Sequence, residues 1–583
     1  MAHDPYGAFR REAAALLEQA LHSLGHADAV EEVPSRLAPA VAGKGDFAYP
    51  CFPLAKIARK APPAIAKEIA DALPPHGNFE VAVEGGYVNF RIRARPLVHD
   101  TLAAVERLGA DFGAHPATGE RVIVEHTSAN PNGPFHVGRA RNPIVGDTLA
   151  RVLRAAGHAV TTEYYVNDMG KQVAILTWGL QNLKSDEVPQ AERDKVDHRL
   201  VPYYQKANVL LEERPEVAEA INGSLKRFEE GDREVAKAFR ESASRVLEGM
   251  KESLARLNVT MDSFAWESDY VLRGDVTPIV ETLKKSESAS QDETGAWGID
   301  LSGFGIAGKN PRWTFLRRDG TSLYTTRDLA YHQDKFRRAD RLVNILGEDH
   351  KLTMQQLNIA LDILGVERDP EVVWISFVSL PEGKMSTRRN RVVFIDDLLD
   401  EAVARAYEEV KVRRGEELSE TEMRRIAEAV GVGALRFNIA SVQAEKSITF
   451  RWEDALNFEG ASAPFVMYSH ARAASILEKL ETPADSSRTP KWELLTHESE
   501  LALVRAIARF PTVVADSAES LRIHQVAGYA VEVANAFNQF YRDCPVARAE
   551  PDLKEARTAL VRAAKTALHN ALTLLGIEAL ETM

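Results

Sequence analysis

Apolar residues recur at helical spacing over residues 9–24 and again over 64–73. The period then changes to two, with Val81 and Val83, and next Val88 and Phe90, alternating with other residues on either side of a Gly85-Gly86 pair. That pattern predicts a helix, a loop, a second helix and a hairpin, while Gly45-Asp46-Phe47-Ala48-Tyr49-Pro50 reads as a turn-rich stretch. Together they make a compact α+β module, residues 1–115. A new domain opens with the short apolar strand Arg121-Val122-Ile123-Val124-Glu125. A loop rich in Ser, Asn, Pro and Gly follows it, then a helix expected from about 137 to 156 and a strand over 159–166. Strand, polar loop and helix N-terminus is the arrangement that binds anions at a sheet's switch point.

From residue 189 to 261 the chain becomes charge-rich helix, and 185–312 reads as a largely helical insertion. The α/β pattern resumes near Trp313, with a strand over 342–346, a helix over 351–364 and a strand over 372–377. Beyond residue 396 the pattern is helical to the end, strongest over 426–440 and 461–480. The expected architecture is multidomain: the α+β module, a Rossmann-like α/β domain over 116–395 carrying the insertion, a helical connector over 396–460, and an all-α bundle over 461–583.

A chain of 583 residues is too long for one hydrophobic core, which agrees with that division. No apolar run approaches the roughly 18 residues needed to span a bilayer. The N-terminus lacks a basic flank followed by an apolar stretch, so a cytoplasmic protein is expected. Cys51 and Cys544 are the only cysteines, too few for a disulfide framework or a four-cysteine metal site, and no structural metal is expected. The net charge of −13 means that any nucleic-acid contact must rest on local Lys and Arg clusters and weaken steeply with salt.

Two segments carry candidate chemistry. In Pro134-Phe135-His136-Val137-Gly138-Arg139 a histidine stands at a helix mouth just after a strand and loop. Unpaired N–H groups there attract anions, an imidazole can donate to a phosphate oxygen, and a glycine lets an adenine approach the backbone. Far downstream, Gly383-Lys384-Met385-Ser386-Thr387-Arg388-Arg389 follows another strand. A basic loop of this kind can close over a triphosphate, though alone it would ordinarily be a solvated surface segment.

These two segments resemble the paired signatures of class I aminoacyl-tRNA synthetases. Three further blocks resemble the arginyl-tRNA synthetases in particular. They are Glu125-His126-Thr127-Ser128-Ala129-Asn130-Pro131-Asn132-Gly133-Pro134, the stretch from Arg317 to Tyr331 that contains Tyr324-Thr325-Thr326-Arg327-Asp328, and Phe465-Val466-Met467-Tyr468-Ser469-His470-Ala471-Arg472. The resemblance covers essentially the whole chain. It departs from the usual signatures at Arg139, where a second histidine is expected, and at Thr387, where a second lysine is, leaving Arg388 or Arg389 to replace that charge.

The resemblance implies ATP-dependent arginylation of tRNA(Arg) through an arginyl-adenylate, with Mg²⁺ as the ATP counterion, and activation of arginine only once tRNA is bound. It implies catalytic roles for His136, Gly138, Arg139, Lys384, Ser386 and Arg388. ATP would be held by Pro134, His136, Gly138, Asp349, Lys384 and Met385. L-Arginine would be held by Glu125, Ser128, Asn130, Tyr324, Asp328 and His350, an acid-lined pocket suited to a permanently charged, planar guanidinium. The N-terminal module would meet the D loop of tRNA through Tyr87 and Asn89, which share one side of a strand. The C-terminal bundle would meet the anticodon through Tyr468, Arg472 and Tyr541. A monomer is expected. Three other readings use the same nucleotide signatures: a tRNA-binding paralogue without catalysis, another adenylate-forming ligase, and a class I synthetase for cysteine or glutamine. The acids Glu125 and Asp328 and the absence of zinc-ligand cysteines weigh against the last.

Overall fold

The computed structural model describes residues 3–41, 43–306, 311–380, 383–384, 394–480 and 490–583. The chain begins with the helix Pro5–Ser23, whose first turn has Pro5 at its start and Asp4 accepting from the Gly7 N–H at 2.8 Å. An antiparallel sheet follows in the order β1 (Ala38–Pro39), β2 (Phe47–Pro50), β4 (Tyr87–Ile92), β3 (Phe79–Glu84). The turn-rich stretch at 45–50 is therefore in part a strand, β2, and the helix Ala94–Leu108 that completes the module has no counterpart in the sequence reading.

The central sheet is parallel throughout, from β5 (Arg121–Glu125), β6 (Ala159–Val166), β7 (Ser263–Trp266), β11 (Arg341–Gly347) and β12 (Glu371–Ile375), in the order β12-β11-β5-β6-β7. Val122, Ile123 and Val124 are all buried, as a strand covered on both faces requires. Connections leave β5 toward β6 on one side while β11 returns on the other, so the switch point lies between β5 and β11, where Glu125 pairs in register with Asn344. The stretch 185–312 is not one helical insertion, because β7 within it is an edge strand of this sheet. The helices Val196–Glu213, Pro215–Glu229 and Arg233–Arg256 precede β7, and a small antiparallel sheet of β8 (Ala289–Gln291), β9 (Trp297–Asp300) and β10 (Arg312–Leu316) follows it. A last sheet joins β13 (Val378–Leu380) to β14 (Gly383–Lys384) and, in parallel, to β15 (Ile448–Thr449), a strand within the region expected to be wholly helical.

The N-terminal module packs on the C-terminal bundle. Phe112 lies against Phe510 with ring centroids 6.0 Å apart, His115 Nε2 is 2.7 Å from the Pro511 carbonyl, and Asn570 Nδ2 donates to the Phe112 carbonyl at 2.8 Å. Gly113, at φ 101°, passes so close to Phe510 that a Cβ there would lie 2.3 Å from the ring.

Two fully buried arginines join the central sheet's surroundings to the helices behind it. Arg141 donates to the carbonyls of Ser376, Lys446 and Gln443 at 2.9, 2.7 and 2.7 Å. Arg436 donates to Asp147 Oδ2 at 2.6 Å and to the carbonyls of Leu575 at 2.7 Å and Leu257 at 2.6 Å. Burial works to raise the Asp147 carboxyl, but the charges of Arg436 and Arg151 outweigh it and hold the group below its ordinary value. Replacing Arg436 with methionine leaves that carboxylate to Arg151 alone and takes the donor from the Leu575 and Leu257 carbonyls, and should destabilise the protein by about 3–5 kcal/mol, read as a fall in melting temperature. The wild type's margin over this variant should be full at neutral pH and shrink as pH drops below about 4, since a carboxylate with a depressed folded value loses its contribution on protonation.

Candidate active site and RNA-facing surfaces

The loop after β5 leaves the switch point through Thr127 and Ser128, at φ 74° and 28°, a conformation that is costly for a β-branched residue. Asn142 holds it there. Its Oδ1 accepts from the Thr127 N–H at 2.7 Å and its Nδ2 donates to the Ile345 carbonyl of β11 at 2.9 Å, so one side chain spans both sides of the switch point. His126 lies beneath, fully buried against Gly146, and burial pushes its imidazole down to about 4, keeping it neutral near pH 7.

His136 caps a single 3₁₀ turn, Val137–Arg139, and the α-helix proper begins at Arg141, later than the 137 expected from the pattern. Its Nδ1 accepts from the Gly138 N–H at 3.0 Å, so the neutral ring carries its proton on Nε2. Gly138 and Arg139 are exposed, and Pro134 is buried in the loop. The segment also meets the chain just beyond the second signature: His136 forms a β-bridge with Phe394, and the Ile395 N–H donates to the Phe135 carbonyl at 2.9 Å. Of that signature, Lys384 is in β14 with its backbone opposite Ser379, while Met385, Ser386, Thr387, Arg388 and Arg389 lie outside the described residues.

Glu125 and Asp328 come together across the switch point. Glu125 is buried at the end of β5, with Ser128 Oγ donating to its Oε1 at 3.2 Å and Lys335 Nζ to its Oε2 at 2.7 Å. Ser128 Oγ also accepts from the Tyr165 N–H at 3.1 Å, tying β5 to β6. Tyr324 and Asp328 lie one turn apart on the helix Tyr324–Arg338, Tyr324 being exposed. Burial would raise the Asp328 carboxyl, but His332, Lys335 and His350 together hold it below the ordinary range. His350 and Asp349 end the turn after β11 and are exposed, and Asn130 Nδ2 donates to Gln172 Oε1 at 2.9 Å. Glu267, buried beside Arg327 at 2.8 Å, is pushed by burial up to about 7.

The five residues expected to face RNA divide. Tyr468 and Tyr541 are both about half exposed, and the Arg472 guanidinium lies 4.6 and 5.3 Å from their ring centroids, in a cleft of about 830 Å³ that also includes the C-terminal Met583. Tyr87 is exposed, its ring edge-on to exposed Phe52 at 5.2 Å. Asn89 is not a surface residue. It sits between Ala48 and Ala82 in the centre of the sheet, with the Gly45 backbone folded against it, and is only 5% exposed.

The family model of the class I tRNA synthetase (R) catalytic domain matches residues 106–452, that of the DALR anticodon binding domain residues 466–583, and that of the arginyl tRNA synthetase N-terminal domain residues 11–92. The chain belongs to the arginyl-tRNA synthetase family. The arginine–tRNA ligase of Methanocella arvoryzae is 48% identical over 91% of this chain and 92% of its own length, and that of Haloquadratum walsbyi 42% identical over 99% of both. The solved arginyl-tRNA synthetase of Thermus thermophilus is 30% identical, with a TM-score of 0.82 over 98% of this chain and all of its own. Members of the family charge tRNA(Arg) with arginine in an ATP-dependent reaction that passes through an aminoacyl-adenylate.

Within the arginyl-tRNA synthetase fold, the residues missed by sequence reasoning are those that hold others in place. Asn142 and Arg141 look like ordinary first-turn helix residues until their partners on distant loops are seen. The polar triplet Asp328, His332 and Lys335, at i, i+4 and i+7 on one helix face, was a readable signal. Among the described residues, one cluster has metal-ligand spacing, Asp197, His198 and Asp396. The Lys195 ammonium lies 2.9 Å from Asp396 and 3.1 Å from Asp197, in the position a cation would take. Gly146 offers the sharpest local test. A Cβ there would lie 2.2 Å from His126 Cγ, so Gly146→Ala should destabilise the enzyme by about 1–3 kcal/mol and, by displacing the Thr127 loop, slow arginine-dependent ATP–pyrophosphate exchange measured with tRNA(Arg) present.

Proposed function

We propose that the switch-point pocket is where arginine and ATP react, with Asp328 as the principal charge contact of the guanidinium. The single observation that carries this is the convergence of Asp328, Tyr324, Glu125 and the His136 turn at the carboxyl ends of β5 and β11. Asp328 stays ionised, which suits a partner that never loses its charge. Tyr324 adds a phenolic contact, Glu125 and Ser128 form the pocket's inner wall, His350 its outer edge, and Asn130 serves the main-chain end of the amino acid.

In this reading the arginine carboxylate attacks the α-phosphorus of ATP, the bond to pyrophosphate breaks, and a hydroxyl of the terminal adenosine of tRNA then takes the arginyl group and releases AMP. No covalent protein nucleophile is needed, so catalysis is positioning and charge stabilisation. Pro134 and Gly138 keep the turn close to the nucleotide, with Asp349 at the rim of its site. His136 Nε2–H donates to a phosphate oxygen, and Arg139 adds a permanent positive charge beside it. Lys384, Met385, Ser386 and Arg388 are assigned to the pyrophosphate side on sequence grounds. Mg²⁺ enters as the counterion of the ATP phosphates. Asp197, His198 and Asp396 are not its site, since Lys195 already supplies the cation there.

Tyr87, with Phe52 beside it, offers a stacking platform to an unpaired D-loop base, and Tyr468, Arg472 and Tyr541 offer one to the anticodon. These surfaces and the catalytic pocket all belong to one chain, which supports a working monomer. The two cysteines are free and buried, as suits a reducing cytoplasm.

Charging of tRNA(Arg) with labelled arginine should fall by at least about a hundredfold in Asp328→Ala, the order expected when a buried charge loses its partner. Undiminished charging by that variant, or efficient charging of the wild type with another amino acid, would sink the arginine pocket. Tyr468→Ala should raise the KM for tRNA about tenfold, the worth of one stacked base, and leave the KM for arginine unchanged.

A further inference from the structure

The pocket proposed for arginine contains a cation of its own. Lys335 is fully buried on the same helix as Asp328, and its three ammonium protons meet three acceptors: Glu125 Oε2 at 2.7 Å, Asn344 Oδ1 at 3.1 Å and His332 Nε2 at 3.2 Å. The group is saturated, and its Nζ also lies 4.2 Å from the Tyr331 ring centroid. His332 continues the chain. Its Nε2 offers one lone pair, shared between the Lys335 ammonium and Asn344 Nδ2 at 3.0 Å, so Nδ1 carries the proton, and Nδ1 lies 3.1 Å from Asp328 Oδ1 and 2.9 Å from the Asp328 carbonyl. One connected path therefore runs Glu125, Lys335, His332, Asp328.

We propose that Lys335 is a specificity-determining residue that cancels the charge of Glu125 inside the pocket, so that Asp328 alone is left to match a single ligand cation. This rests on the reading of the pocket as the arginine site. The buried Glu125 and the partly buried Asp328 without a counter-charge would favour two cations, or any strongly charged amine; with Lys335 in place the three charged groups sum to −1, the complement of one guanidinium. The arrangement also separates two duties. Glu125 positions the inner wall through Lys335 and Ser128, and Asp328, held by His332, meets the ligand's charge. The alternative is that Lys335 only fills space under Tyr331 while Glu125 is itself a direct guanidinium contact.

A double-mutant cycle on the full-length enzyme separates these. Glu125→Gln leaves the Lys335 ammonium buried without its carboxylate and facing the ligand, and should raise the KM for arginine at least about tenfold with a much smaller change in kcat. Adding Lys335→Met removes the stranded charge, and should lower that KM again by at least about fivefold relative to Glu125→Gln alone. The single variant Lys335→Met, with two carboxylates and no internal cation, should be inhibited by L-lysine at concentrations at least about fivefold lower than the wild type is. A double variant as poor as Glu125→Gln, or poorer, overturns the proposal, and so does unchanged inhibition by L-lysine. If Lys335→Met alone does not fold, the Glu125→Gln and double variants still decide the matter, because the double carries no unpaired buried charge from this pair. Failure of the wild type to charge tRNA with arginine would remove the arginine reading itself, whereas a wild type that charges normally beside an unrescued double variant removes only the role of Lys335.

Discussion

The parallel register of β5 against β11 is the constraint on which the site depends. It sets Glu125 opposite Asn344, leaving a gap at the carboxyl ends of the two strands where helices depart in opposite senses. Everything chemical in the pocket is arranged around that gap: Lys335 bridges its floor, Asn142 spans its sides from the Thr127 N–H to the Ile345 carbonyl, and the His136 turn stands at its mouth. A slip of one residue would turn Glu125 away from Lys335 and leave an uncompensated ammonium in the core, so burial of these charges enforces the register as much as the apolar strand residues do.

The same use of buried cations recurs at larger scale. Arg141 and Arg436 each gather carbonyl groups from segments far apart in the chain and so make catalytic sheet and C-terminal helices a single packed body. A guanidinium suits this duty because its five donors lie in one plane and can satisfy several backbone acceptors at once. Arg436 is central, since it joins the helix that follows the His136 turn to the C-terminal segment at Leu575. The C-terminal helices and the helix that follows the His136 turn thus share one packed frame.

Local pattern reaches far in this protein where a segment's own periodicity decides its fate. The strand at 159–166 and the helix at 351–364 are found almost where the alternation of apolar residues places them. It fails where a segment's partners are distant. β2 reads as a turn because it has only four residues and two prolines' worth of stiffness nearby, and it becomes a strand by pairing with β4, more than thirty residues on. β7 is embedded in helical sequence and is a sheet member only because β6 has a free edge. Asn89 shares a side of its strand with Tyr87, yet the neighbours Ala48 and Ala82 and the Gly45 backbone close over one and not the other.

What the sequence determined by itself was the family and the reaction, because the His136 turn, the acids at Glu125 and Asp328 and the aromatic residues of the C-terminal bundle are chemical groups whose identity is written in the chain. Which of those groups are available was decided by the tertiary structure alone. Glu125 and Asp328 look equivalent as letters, and they differ because a lysine seven residues beyond Asp328 folds back onto Glu125, 210 positions earlier in the chain. Charge depends on neighbours in space, and at distances of a few ångströms in a low-dielectric interior those neighbours outweigh anything the residue carries alone.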